Sequence, residues 1–173
     1  MWTAFPLHPE TPEAGRDLEE MYANRPFDIK EMMAHMKRVA DAEGLPLGVR
    51  KKTYNSRLAQ ELGKWAESRG MGDAFHDAAF RAYFAAGKNI GDVSELVDLA
   101  ETVGLPGDEA RKVLETRAFK DVVDRDWLRS RRFGITAVPT FVIGNQALVG
   151  AQPYEMMAEF LETNGVKKRD VAP

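Results

Sequence analysis

The chain has 173 residues, 44% hydrophobic and 29% charged, the composition of an ordinary folded domain rather than of a fibrous or disordered chain. Its formal charge of -3 supplies no basic field to attract phosphate backbones, so nucleic acid is excluded as an expected partner. With no Cys, these residues alone carry no thiolate nucleophile, no cysteine metal ligand and no dithiol redox cycle.

A chain of this length buries roughly 70% of the surface its unfolded state exposes, so one domain over residues 1–173 needs neither metal nor disulfide. No apolar run approaches the ~20 residues of a membrane span, and MWTAFPLHPE has neither the positive start nor the apolar core of a signal peptide. The expectation is a cytoplasmic protein that does not enter the membrane.

In chain order, residues 2–8 (WTAFPLH) read as one buried strand carrying Trp2, Phe5 and Leu7. The Pro-rich exit His8-Pro9-Glu10-Thr11-Pro12 follows it. Residues 15–24 read as a helix. Asp28 then caps a better one with Ile29, Met32, Met33, Met36, Val39 and Ala40 at helical spacing, stopped by Gly44 and Pro46. Arg50, Lys51 and Lys52 are most simply a solvated loop or strand edge. Asn55 caps a helix through Arg69 with Leu58, Leu62, Trp65 and Ala66 on one face, and Gly70-Met71-Gly72 ends it.

Asp73 opens AFHDAAFRAYFAA, whose Phe75, Ala79, Tyr83 and Phe84 form a core stripe. Asp92 opens VSELVDLAETV, which stops at Gly104-Leu105-Pro106, and Asp108 opens EARKVLETR. A long helix follows over about 118–132, its Phe119, Val122, Val123, Asp126 and Leu128 alternating between core and water. Next, Thr140-Phe141-Val142-Ile143 reads as a buried strand, Gly144-Asn145 as a hairpin turn and Gln146-Ala147-Leu148-Val149 as the partner strand. Pro153 starts a last helix with Tyr154, Met157, Phe160 and Leu161 inward, before a polar tail.

Few side chains invite chemistry. His8, His35 and His76 do not sit at metal-ligand spacing, and Glu19-Glu20 and Asp124 with Asp126 are most simply solvated helix faces. No Ser-His-Asp order, phosphate-binding glycine loop or zinc pattern occurs, and neither cofactor nor metal is expected.

One constellation carries more. The run Gly134-Ile-Thr-Ala-Val-Pro-Thr-Phe-Val-Ile143, followed after one turn by Gly150-Ala-Gln-Pro153, resembles the C-terminal half of a thioredoxin fold, and in particular the DsbA family in its FrnE-like branch. WTAFPLHPETP is similar to the family's strand and exit, and Thr53-Tyr54-Asn55-Ser56 with RAYFAAGKNIGD to its helical insertion. The resemblance implies an α/β thioredoxin-like fold in which residues 2–8 and 134–164 form the thioredoxin-like part and 13–132 the helical insertion. It implies a cis-proline at Pro139. It makes Val138, Pro139 and Thr140 the substrate-binding residues, the Val138 backbone being free to pair with an extended peptide or with the cysteinyl backbone of glutathione.

Members of that family begin with a strand and helix bearing a Cys-x-x-Cys pair, or a serine in glutathione-using relatives. The sequence is short of that unit by roughly 30 residues, the size of one βα segment. The strand so left out lies between residues 2–8 and the hairpin, leaving two open edges to be filled by a second copy, by a separate polypeptide, or by direct pairing of the two parts. The implied activity is protein disulfide exchange, not expected of this chain alone. Two alternatives stay open: a non-catalytic peptide- or partner-binding member, and a relative of glutathione-dependent isomerases whose serine segment is absent. The more economical expectation is an ordinary oxidoreductase whose redox segment is encoded in frame ahead of Met1. A homodimer filling the open sheet edge is the expected assembly.

Overall fold

The structure, a computed structural model, describes residues 2–26 and 28–168; Met1, Phe27 and the tail from 169 on lie outside the described residues. It runs β1 (Arg16–Asp17), α1 (Leu18–Tyr22), α2 (Ile29–Ala42), β2 (Lys52–Thr53), α3 (Arg57–Ser68), α4 (Gly72–Phe80), α5 (Val93–Thr102), α6 (Gly107–Thr116), α7 (Lys120–Arg132), β3 (Thr140–Ile143), β4 (Gln146–Val149) and α8 (Tyr154–Thr163).

Short polar side chains set several of the helix starts. Asp17, Asp28 and Asp92 accept hydrogen bonds from the first free N–H groups of α1, α2 and α5, at 2.8 Å from Glu19, 2.7 Å from Lys30 and 3.0 Å from Glu95. Asp73 does not cap α4 as the sequence suggests. Its carboxylate accepts from the Trp2 indole N–H at 3.2 Å instead. The helix also does not run straight to residue 86: after Phe80 it loosens into one π-helical turn, Arg81–Ala85. There the Phe84 carbonyl accepts from the Gly48 N–H at 2.9 Å, an approach so close that a Cβ at position 48 would meet the Ala85 oxygen.

The core lies inside the helical block. Leu62, Trp65 and Ala66 of α3 pack with Phe75 of α4, Leu96, Val97 and Ala100 of α5, and Ala110 and Leu114 of α6. The other side of α3 is polar yet also covered. Glu61 is fully buried, its carboxylate accepting from Arg57 Nε at 2.6 Å and from the Arg117 guanidinium at 2.7 and 2.8 Å. Arg117 reaches this position from a left-handed backbone, φ +54°, at the corner between α6 and α7. That is why α7 starts at Lys120 and not at residue 118. A left-handed non-glycine residue costs about 1–2 kcal/mol, which the bidentate pair on a buried carboxylate offsets.

Several sequence expectations change. Residues 2–8 form no strand: the Leu7 N–H donates back to the Phe5 carbonyl at 2.9 Å, His8 is left-handed, and Trp2 and Leu7 are about half exposed. The segment's carbonyls are taken up by side chains of the helical block. Among the described residues, residues 2–8 do not pair with the hairpin; the sheets there are β1–β2 and β3–β4. The expected helix over 15–24 gives up its first turn, because Arg16 and Asp17 pair with Thr53 and Lys52. The strand at 140–143 is not buried, and neither are Tyr154 and Leu161 of α8. Among the described residues, the hydrogen bonds and ion pairs of residues 136–168 stay within that segment.

Two outcomes follow for stability. Burial pushes the Glu61 carboxyl up, but hydrogen bonds from Arg117 and Arg57 and their charges outweigh it, holding it below its ordinary value. The resulting stabilisation is present above the ordinary carboxylate range and is lost on acidification through the lowered value. Glu61→Gln takes the buried charge away from the covered Arg57 and the partly exposed Arg117 and is expected to cost about 3 kcal/mol, read as a lowered urea midpoint at neutral pH.

His76 shifts down for a different cause. Its ring packs edge-on against Trp2 at 5.2 Å, its Nδ1 is buried without a partner among the described residues, and its Nε2 lies 3.9 Å from Glu67. Burial lowers its pKa, with Lys64 adding to this and Glu67 and Asp73 opposing it. As pH falls below the ordinary imidazole value the unfolded chain takes up the proton first, so stability drops until the folded value is passed. His76→Phe is expected to flatten the urea midpoint between about pH 7.5 and 5; an unchanged slope would refute this account.

Candidate functional site

The approach to the site is fixed by the end of α7. Gly134, at φ +66°, lets the chain reverse: its N–H donates to the Arg131 carbonyl and the Ile135 N–H to the Ser130 carbonyl, both at 3.0 Å. This is the paired bond pattern of a glycine-terminated helix, and a residue with a Cβ would be strained at that φ. Four residues after Gly134, the Val138–Pro139 peptide bond is cis. The loop is held from both sides. Thr140 Oγ1 donates to the Ala137 carbonyl at 2.7 Å, and the Gly150 N–H donates to the Pro139 carbonyl at 2.8 Å.

That last bond fixes the phase of the ladder. β3 pairs with β4 as Thr140↔Val149, Phe141↔Leu148, Val142↔Ala147 and Ile143↔Gln146, closed by Gly144 at φ +58° in the first central position of a two-residue turn. In an antiparallel pair hydrogen-bonded and non-hydrogen-bonded positions alternate. Since Pro139 bonds to Gly150, residues 139, 141 and 143 face β4, whereas Thr140 and Val142 turn their N–H and C=O groups to the opposite edge. No strand among the described residues lies on that edge. The Val138 N–H and C=O likewise find no hydrogen-bond partner there, and Val138 is 45% exposed.

The three residues expected at the site, Val138, Pro139 and Thr140, are therefore brought together at the head of an open strand edge. The chemistry available is narrow. Residues 133–153 contain no ionisable side chain, and among the described residues no His, Asp and Glu cluster could hold a metal ion. The loop offers a backbone donor and acceptor and an apolar surface. It has no proton-transfer group and no nucleophile of its own.

A second polar constellation, the clamp on residues 2–5, has only a weak signal in the sequence. Lys64 donates to the Trp2 carbonyl at 2.7 Å, Gln60 to the Phe5 carbonyl at 2.9 Å and Ser130 to the Ala4 carbonyl at 3.3 Å, while the Ala4 N–H donates to Asp126 at 2.9 Å. Asp126 thus lies in a covered ion pair with Lys64 at 3.1 Å, not on a solvated helix face. The helical spacing of Gln60 and Lys64, and of Asp126 and Ser130, shows that each pair shares a face. It does not show that a strand-like segment lies between them. Asn55 adds a further tie, donating to the Pro9 and Thr11 carbonyls at 3.1 and 3.0 Å while its own oxygen accepts from the Arg57 N–H. His8 sits in that Pro-rich turn, on a different element from His35 and His76.

Among known proteins, the chain is 36% identical over 113 residues to the uncharacterized protein YwbO of Bacillus subtilis (strain 168), a match covering 64% of this chain. It spans 56%, about half, of that protein's length. In three dimensions it resembles the probable DsbA oxidoreductase SCO1869 from Streptomyces coelicolor, with a TM-score of 0.78 and 27% identity over 95% of this chain and 74% of that one. It also shares its fold with a 2-hydroxychromene-2-carboxylate isomerase, at a TM-score of 0.69 and 18% identity over 84% of this chain and 74% of the isomerase. The model of the DSBA-like thioredoxin domain matches residues 1–162. With a hairpin led by a cis-proline, a large helical block beside it and this match over nearly its whole length, the chain belongs to the DSBA-like thioredoxin domain family.

Proposed function

We propose that these 173 residues form the docking half of a dithiol–disulfide oxidoreductase of the FrnE-like branch, binding an extended thiol-bearing peptide or the cysteinyl backbone of glutathione without exchanging electrons themselves. The observation that carries the reading is Val138 at the head of β3, 45% exposed and with no hydrogen-bond partner for its N–H and C=O among the described residues, on a loop pinned by Thr140 and Gly150. An extended main chain laid along that edge would exchange a donor and an acceptor with Val138 and continue onto Thr140, which is strand addition.

The absence of Cys supports the second half of the reading, since thiol–disulfide exchange needs a thiolate to attack. In this reading residues 2–8 and 134–164 are the thioredoxin-like part and 13–132 the helical insertion. A homodimer closing the open edge and a cytoplasmic setting belong to the same proposal, the latter on the sequence argument alone.

Two measurements test it. In an insulin-reduction assay the purified chain is expected to give no turnover above the dithiothreitol background; turnover would overturn the reading. In a titration with S-methylglutathione followed by amide NMR, Val138, Thr140 and Val142 are expected to shift with a Kd on the order of 1 mM, because each exposed backbone hydrogen bond contributes only about 1 kcal/mol net. Shifts confined to the helical block would place binding elsewhere and reject the site.

A further inference from the structure

The outer face of α7 carries a row of cations. Arg125, Arg129 and Arg132 share one side of the helix with Leu128, which is 46% exposed. A different side meets α3 and residues 2–5: there Asp126 pairs with Lys64 and accepts from the Ala4 N–H, Trp127 donates to Gln60, and Ser130 donates to the Ala4 carbonyl. Among the described residues, the guanidinium groups of Arg125, Arg129 and Arg132 make no hydrogen bond and no ion pair, and Arg129 lies over the Phe133 ring at 5.7 Å.

That is unlike the exposed cations of other helix faces, which find an acid one turn away: Lys37 pairs with Asp41, Arg81 with Asp77 and Lys120 with Asp124. The acids of α7 are taken elsewhere, Asp124 by Lys120 and Arg57 and Asp126 by Lys64, and Asp121 stands one turn before Arg125 without an ion pair to it among the described residues. The pull of the helix dipole on cations is confined to the last turn, so it accounts for Arg129 and Arg132 but not for Arg125. Like charges one turn apart weaken a helix. The row is therefore a cost to the isolated chain that an anionic partner would relieve.

Spacing and Leu128 set the chemistry of that partner. Arg125 and Arg129 are separated along the axis by about 6 Å, and the whole row is about 10 Å long. Alternate residues of an extended chain recur on one side every ~6.6 Å, so carboxylates at every second position meet successive guanidinium groups as charge-assisted pairs. Glutamate methylenes lie against Leu128 in such a pose, an apolar contact that a phosphate backbone lacks. Extent also disfavours a nucleic acid or an anionic membrane, since the row is short and the chain as a whole carries a charge of -3.

The geometry points to the face of α7 formed by Arg125, Leu128, Arg129 and Arg132 as a docking surface for an acidic, extended segment of a protein partner, with glutamates at alternate positions. Arg132 and Val138 are six residues apart in the chain, hence separated by at most ~20 Å, so a single peptide can reach both. The substrate class this implies, a thiol peptide with an acidic flank, rests on the binding reading above; the docking surface does not.

The probe is a fluorescein-labelled peptide in which Glu alternates with Ser, titrated with the full chain and followed by anisotropy. It is expected to bind with a Kd on the order of 0.1 mM at low salt, about five-fold more weakly at about 0.2 M salt, and not detectably when Gln replaces Glu. Combining Arg125→Gln, Arg129→Gln and Arg132→Gln should weaken binding about ten-fold with the circular dichroism unchanged. Arg111→Gln with Lys112→Gln, which removes two exposed cations from α6, should leave binding within about two-fold. Reversing the row with Arg125→Glu, Arg129→Glu and Arg132→Glu should transfer the preference to a peptide with Lys in place of Glu.

Equal weakening by the α6 and α7 substitutions, or tighter binding of single-stranded DNA or of phosphatidylglycerol vesicles than of the Glu peptide, overturns the docking surface. A Glu peptide extended by a neutral stretch ending in S-methylcysteine is expected to shift the Val138 amide and to bind about five-fold tighter than the Glu run alone. If the Glu peptide binds the α7 row but the extension adds nothing, the substrate class falls and the docking surface stands. If S-methylglutathione shifts Val138 while no Glu peptide binds, the docking surface falls and the binding reading stands.

Discussion

A fully buried carboxylate, Glu61, held by two guanidinium groups from opposite directions, is the constraint on which the helical block turns. The carboxylate could not leave water alone without a cost of several kcal/mol, so Glu61 must find its guanidinium partners for α3 to lie where it does. Arg57 comes from one turn earlier on the same helix and stacks its guanidinium over Trp127 of α7 at 4.5 Å. Arg117 comes from the corner between α6 and α7 and accepts a left-handed backbone to reach Glu61. The arrangement fixes α7 against α3, and this pair forms the cradle in which residues 2–5 lie.

The consequence is an unequal division of the molecule. The helical block owns the apolar core, and its polar side chains also hold the extended entry segment by its main chain. Among the described residues, the hydrogen bonds and ion pairs of residues 136–168 stay within the hairpin and α8. Phe141, Val142, Val149, Tyr154 and Leu161 remain at the surface. A β-hairpin with both faces wet is marginal by itself, and its exposed, chargeless edge is a surface that gains by being covered.

In the function proposed above, the site serves recognition rather than reaction. Its parts are a backbone donor and acceptor at Val138, a loop closed by Thr140 and Gly150, and an edge of defined phase. Nothing ionisable lies within it, so whatever selectivity it has comes from shape and main-chain pairing.

Much of this was written locally in the chain. The glycines that end α2, α3, α5 and α7, the aspartates that open α2 and α5, and the Gly144-Asn145 turn depend only on near neighbours, and each stands where its residue type puts it. The run around Val138-Pro139-Thr140 was legible for the same reason: its loop and strand are held by bonds spanning about a dozen residues. What a neighbour list could not convey was decided by distant partners. Residues 2–8 have the alternation of a strand but no strand to pair with, and their carbonyls go to Gln60, Lys64 and Ser130. Asp126 looks solvated on its own helix and is covered because Lys64 and the Ala4 N–H converge on it. The fate of an apolar or charged side chain is set by what the rest of the fold brings against it, and that becomes definite only when α3, α7 and the entry segment are packed together.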